Sequence, residues 1–119
     1  MTVLLLGKHL ELGLYRAEYL RSHGHNVVFP ESMPAAVAAI NDGSYDIVIL
    51  SYSLSHDSVI ELRELIEQSC PNCPVITLTE QSWPDQRIES DKVVLVSEGP
   101  EALLNAITHF EQKGLRRVK

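Results

Sequence analysis

The chain is short of most features that mark common functional classes. Two cysteines in 119 residues are too few for a disulfide-stapled scaffold, and they cannot supply a four-cysteine zinc site. No glycine-rich phosphate loop is present. Gly7 stands alone, without GxGxxG or P-loop spacing, which removes the dinucleotide enzymes and the nucleotide hydrolases. Basic residues are outnumbered, 10 Lys and Arg against 16 Asp and Glu, and the net charge of −6 argues against a general nucleic-acid binder. The one basic cluster, Lys113, Arg116, Arg117 and Lys119, reads as a frayed end beginning near residue 114. No apolar run approaches a membrane span. Met1–Leu6 is apolar but has no basic segment before it, so it reads as a first strand and not as a secretion signal. These absences predict a cytoplasmic protein with reduced thiols, engaging neither nucleic acid nor membrane.

What is present is a regular alternation of apolar runs and helical patterns over one domain, residues 1–119. Strands are expected at Val3–Leu6, Asn26–Phe29, Asp46–Leu50, Pro74–Thr79 and Lys92–Val96. Leu10, Leu14, Ala17 and Leu20 predict the inner face of a first helix, which Gly24 can end. Ser32 is a good N-cap with Pro34 in the first turn, and Ala36, Val37 and Ile40 form a short helix stopped by Asn41-Asp42-Gly43. A third helix is expected from about Asp57, placed at the N-cap, to Gln68, with Val59, Ile60, Leu62, Leu65 and Ile66 apolar. A last one begins near Pro100, carries Leu103, Leu104, Ile107 and Phe110 inward, and ends at Gly114. The interval Glu80 to Asp91 has no helical stripe and contains Pro84. It predicts a short or missing fourth crossover helix. Repeated strand–helix–strand units imply an α/β doubly wound parallel sheet of five strands in the order 2-1-3-4-5.

In such sheets chemistry sits past the carboxyl ends of the strands. The continuous run Ile47-Val48-Ile49-Leu50 suits a buried central strand, and it stops at Ser51. A functional group is therefore expected there.

Several segments together resemble the receiver domain of bacterial two-component response regulators, over essentially the whole chain. Ser32-Met33-Pro34-Ala35-Ala36-Val37-Ala38-Ala39-Ile40 and then Gly43 to Leu50 are similar to that family's second helix and third strand. Cys73-Pro74-Val75-Ile76-Thr77-Leu78-Thr79 is similar to its fourth strand, and Gly99-Pro100-Glu101-Ala102-Leu103-Leu104 to the start of its last helix. The resemblance implies an aspartate acceptor ending strand three, an acidic Mg²⁺-binding pair after strand one and a lysine after strand five. In this sequence the acceptor position is Ser51, the acidic pair is Gly7-Lys8, the lysine position is Ser97, and the aromatic switch position is Val94. Only Thr79 keeps the family type. Serine needs a base and a metal to act here, and Lys8 opposes Mg²⁺ by like charge. The site therefore reads as degenerate, with no Mg²⁺ or other cofactor expected.

Other constellations are weaker. Cys70-Pro71-Asn72-Cys73 has CxxC spacing but follows a helix, away from the N-terminal dipole that activates a redox thiol, so it reads as a turn with incidental thiols. His23-Gly24-His25 reads as a helix end. His9 after strand one and Ser51-Tyr52-Ser53-Leu54 after strand three resemble cobalamin-binding domains of the same fold, although the aspartate two residues before the histidine is Gly7 here. Glu61, Glu64 and Glu67 read as a solvated helix face. The expectation is a non-enzymatic pseudo-receiver in two-component or phosphorelay signalling, acting through a sensor kinase, another signalling protein or a homodimer. Trp83, Val94, Glu98, Leu104 and Thr108 are its candidate contact face. The alternative is a small-molecule or cobalamin-like sensor using the strand-end cleft.

Overall fold

Five short strands, each parallel to its neighbour, set the frame, in a computed structural model that describes residues 1–52, 54–80 and 91–114. In chain order the elements are β1 (Thr2–Leu6), α1 (Leu10–Ser22), β2 (Asn26–Val28), α2 (Met33–Asp42), β3 (Ile47–Ser51), α3 (His56–Ser69), β4 (Val75–Thr79), β5 (Lys92–Leu95), a 3₁₀ turn (Val96–Glu98) and α4 (Pro100–Gln112). The sheet order is β2-β1-β3-β4-β5. The doubly wound topology is the expected one. Asp46, Pro74 and Val96 lie just outside their strands, as does Phe29. The contact candidate Trp83 and all of 81–90 lie outside the described residues, as do Ser53 and the tail residues Arg116, Arg117 and Lys119.

Alternation along the strands divides the core in two. Val3, Leu5, Ile47, Ile49, Ile76, Leu78 and Val94 meet Ala17 and Leu20 of α1 and Leu103, Ile107 and Phe110 of α4. Leu4, Leu6, Val48, Leu50 and Val75 meet Ala36 and Ile40 of α2 and Val59, Leu62 and Ile66 of α3. β3 is buried at every residue, which is why its sequence shows no polar alternation. Each such Val, Leu or Ile side chain contributes about 1.5–3 kcal/mol on burial.

Local chemistry sets the helix ends. The Ser32 side chain accepts from the Ala35 N–H at 3.2 Å, and Gly43 closes α2 in the left-handed region at φ 73°. α3 is capped by Ser55, which accepts from the Ser58 N–H at 3.2 Å. Asp57, expected at the cap, lies in the first turn, where its charge suits the helix dipole. On α3, Arg63 is buried while Ile60 is 40% exposed.

Helix α1 departs from its sequence reading. Leu10 and Leu14 are 47% and 43% exposed, and the residues turned to the sheet are Gly13, Ala17 and Leu20. The reason is steric. The Phe29 ring occupies the space where a Cβ on residue 13 would stand, so the helix presents its glycine to that ring.

The amino ends of the strands carry two matching devices. Asp46, just before β3, accepts from the Thr2 N–H through Oδ2 at 2.8 Å, and its own N–H donates to the Thr2 carbonyl at 2.8 Å. Asp91, just before β5, does the same with Val75, both bonds again at 2.8 Å. Each aspartate thus ties its strand to the neighbour's first residue. At the same end Cys70 and Cys73 are joined by a disulfide, correcting the expectation of incidental thiols. The turn itself brings them together: the Cys73 N–H donates to the Cys70 carbonyl at 3.2 Å, and the Cα atoms stand 5.4 Å apart. Among the described residues no helix is long and apolar enough to cross a membrane.

Candidate functional site

Parallel pairing brings three of the expected positions together at the carboxyl ends of the strands. Leu6 pairs with Leu50, so Gly7 follows beside Ser51. Ser51 pairs with Leu78, and Thr79 is the next residue along β4. Ser51 is 4% exposed and Thr79 9%, so both hydroxyls are enclosed by the strand ends. Ser97 lies farther out, exposed, in the 3₁₀ turn that follows β5. Lys8 is exposed at the rim.

These five positions offer two buried hydroxyls, an exposed hydroxyl, a backbone glycine and one ammonium. They supply no carboxylate, the ligand type that Mg²⁺ favours. Among the described residues no group of three or more His, Cys, Asp or Glu side chains could hold a metal ion. The donor set does not fit the metal that the resemblance implies.

Three further residues shape the rim. The Arg16 guanidinium stands 5.8 Å from the centroid of the Tyr52 ring, within cation–π reach. The His9 ring is 6.4 Å from the same ring. Tyr52 thus draws together a cation from α1 and the residue at the N-cap of α1. Sequence reasoning passed over Arg16, because helical periodicity gives it no apolar signal. His9 is exposed and its side chain makes no capping bond.

Beside this rim lies a cleft of about 270 Å³ over the outer end of β1, where Gly7, Lys8, Glu31, Ser32, Ser55 and Ser58 meet. Its polar lining comes from the first turns of α2 and α3, whose N-caps are Ser32 and Ser55, with one cation and one carboxylate from the flanking connections. A second, wider groove of about 470 Å³ runs between the outer strand β5 and α4, lined by Asp91, Lys92, Val93, Glu98, Asn105 and His109 among others.

The expected contact residues fall unevenly around that groove. Glu98 is exposed. Leu104 is half-buried against the core, and the Thr108 hydroxyl donates to its carbonyl at 2.9 Å. Val94 is only 3% exposed and packs in the core, so it offers no side chain to a partner. Val93, at 38%, is the outward residue of β5. Alternation along an edge strand carried this information, and reading the position only as a family switch residue obscured it.

Among the described residues two titrating groups are perturbed, and both lie away from the carboxyl-end cleft. His25, in the connection to β2, is held below its ordinary 6.5 by burial, then by the N-terminal ammonium, with Glu111 opposing and His23 adding to the depression. Burial raises the Tyr45 phenol above its ordinary 10.0.

No family model and no curated protein sequence matches the chain. Solved structures do. The response regulator TrrA from Thermotoga maritima, in complex with Mg²⁺ and BeF, aligns with a TM-score of 0.77 at 21% identity, over 91% of this chain and 96% of that one. A CheY-like response regulator receiver domain protein from Methanospirillum hungatei gives 0.79 at 15% identity, over 94% of both chains. The receiver domain of a sensor histidine kinase from Pseudomonas aeruginosa, with a magnesium ion in its active-site cleft, gives 0.77 at 16%, over 91% of this chain and 94% of that one. Likeness at these identities is likeness of architecture, and that architecture is the flavodoxin-like receiver fold of the response regulators.

Proposed function

We propose that this chain is a receiver-fold signalling module of a two-component or phosphorelay system, non-enzymatic and cytoplasmic. It works by protein contact, without aspartyl phosphorylation and without Mg²⁺. One observation carries the reading. The five parallel strands keep the receiver order, while the strand ends that hold acceptor, metal ligands and lysine in the resembled family hold Ser51, Gly7, Lys8 and Ser97 here. A phosphoryl group arriving at this rim meets no carboxylate nucleophile among these positions and no ligand set for the cation that neutralises the transfer.

Output then depends on surface. The groove between β5 and α4, with Glu98 at its rim and Leu104 and Thr108 on α4, is the proposed contact face for a sensor kinase, another signalling protein or a second copy. Incubation of the purified protein with acetyl phosphate and Mg²⁺, followed by intact mass measurement, tests the core of the reading. No adduct is expected, and a single phosphoryl adduct overturns it. Ser51→Asp alone is expected to stay unmodified as well, since the acidic pair and the lysine are still missing.

The 270 Å³ cleft beside Lys8 favours a second reading, a sensor of a small polar molecule. Its volume is at the low end for ligand pockets. A thermal shift with a panel of small anions and zwitterions, lost in Lys8→Ala, would support that reading.

A further inference from the structure

The disulfide precedes β4, at the opposite end of the sheet from Gly7, Lys8, Ser51, Thr79 and Ser97. We propose that Cys70 and Cys73 form a reversible thiol–disulfide couple, a redox modification site that responds to a low-molecular-weight thiol of the glutathione class.

The turn is complete without the bridge. The Cys70 N–H donates to the Ile66 carbonyl at 2.7 Å and ends α3, and the Cys73 N–H donates to the Cys70 carbonyl at 3.2 Å. Pro71 presets the first corner. Two thiols in this turn remain facing each other, so oxidation needs no rearrangement of the chain. The reduced state also has a place prepared for it. Cys73 Sγ lies 3.7 Å from the Tyr45 carbonyl oxygen, an acceptor for the S–H that reduction creates. Permanent stapling is a weaker account of the bridge, because a disulfide spanning residues three apart restricts the unfolded chain less than one that closes a long loop.

The two sulfurs differ in access. Cys73 is 5% exposed within the core beneath α3, while Cys70 is partly exposed at the helix end. An external thiolate therefore attacks Cys70 Sγ. The S–S bond breaks, a mixed disulfide forms at Cys70, and Cys73 leaves as a thiolate that takes a proton from solvent. A second thiolate attacks the external sulfur of the mixed disulfide, releasing Cys70 and the oxidised small molecule. The protein gains two electrons and two protons, and the two external thiols are oxidised to one disulfide. Cys70 sits at a helix C-terminus, where the dipole disfavours a thiolate. The couple is therefore slow, a sensor of the surrounding poise and not a catalyst of exchange. In a reducing compartment it rests open, and it closes under oxidant.

The test uses the full chain, equilibrated in reduced and oxidised glutathione buffers of graded ratio, quenched in acid, alkylated with N-ethylmaleimide in denaturant and weighed intact. Two adducts are expected in reducing buffers and none in oxidising ones, with an unchanged circular dichroism spectrum throughout. A bridge that resists every buffer until the protein is denatured overturns the proposal. So do two free thiols in every buffer, or disulfide-linked dimers. Single variants test the direction of attack. The lone thiol of Cys73→Ser should be alkylated at least about tenfold faster than that of Cys70→Ser; equal rates overturn the assignment of Cys70 as the attacked sulfur.

Discussion

The two ends of this sheet are built on different principles. At the amino ends, polar groups are spent on holding strands together. Asp46 and Asp91 each close a two-bond ring with the neighbouring strand, and Cys70 and Cys73 bridge the turn into β4. At the carboxyl ends, Ser51 and Thr79 are enclosed while Lys8 and Ser97 face outward. One end is specified by side chains that bond the neighbouring backbone, and the other presents two enclosed hydroxyls beside an exposed cation and an exposed hydroxyl. In this sheet the strand-tying bonds and the clustered strand-end hydroxyls therefore lie at opposite ends.

The sharpest break of this contrast is expected from the aspartates. Asp46→Ala and Asp91→Ala each leave a strand-initial N–H without its charged acceptor and should cost about 1–3 kcal/mol in urea unfolding. Ser97→Ala at the other end should stay within about 0.5 kcal/mol. Equal losses at the two ends would erase the distinction.

A second test uses acid. His25 titrates below 6.5 in the fold and near its ordinary value once unfolded, so the unfolded chain binds the extra proton first. Its contribution to stability is present above about pH 6.5 and is lost as pH falls from there through the depressed folded value. Urea midpoints measured across that window should fall more steeply for the native protein than for His25→Gln. Parallel curves would show that burial of the imidazole is not the cause.

The smallest effect concerns hydroxyls buried inside the fold. Among the described residues the Thr77 Oγ1 and the Tyr45 hydroxyl have no hydrogen-bond partner. Thr77→Val and Tyr45→Phe remove a polar atom at nearly constant shape, so they should be neutral or stabilising by up to about 1 kcal/mol. A loss from either would reveal a bond that these positions make.

Which of these features could be read in advance depended on how local their causes are. Ser32, Pro34 and Gly43 announced α2 because a cap and a left-handed stop are written within a few residues. The segment Ser55-His56-Asp57-Ser58 was harder. It offers three side chains able to cap, and only the course of the preceding chain selects Ser55. The leucines of α1 misled because Leu10, Leu14, Ala17 and Leu20 satisfy a helical period, while the deciding contact, Gly13 against Phe29, joins two distant elements. Asp46 and Asp91 gave no signal at all, since each role exists only after two strands are paired. At the site, Ser51 and Thr79 were legible from the topology, whereas Arg16 over Tyr52 required the helix and the β3 end to be seen together. CxxC spacing indicated proximity but carries no information on whether the sulfurs are bonded.

Gly13 has a consequence that reaches well beyond its own turn. With about 3.6 residues per turn, the angular phase of a helix is a single variable shared by all its side chains. Seating a bare backbone under the Phe29 ring sets that phase for the whole of α1. Leu10, Leu12, Leu14 and Tyr15, all more than 40% exposed, are then carried to the outside together. The oily exterior of this helix is thus the shadow of one absent methyl group.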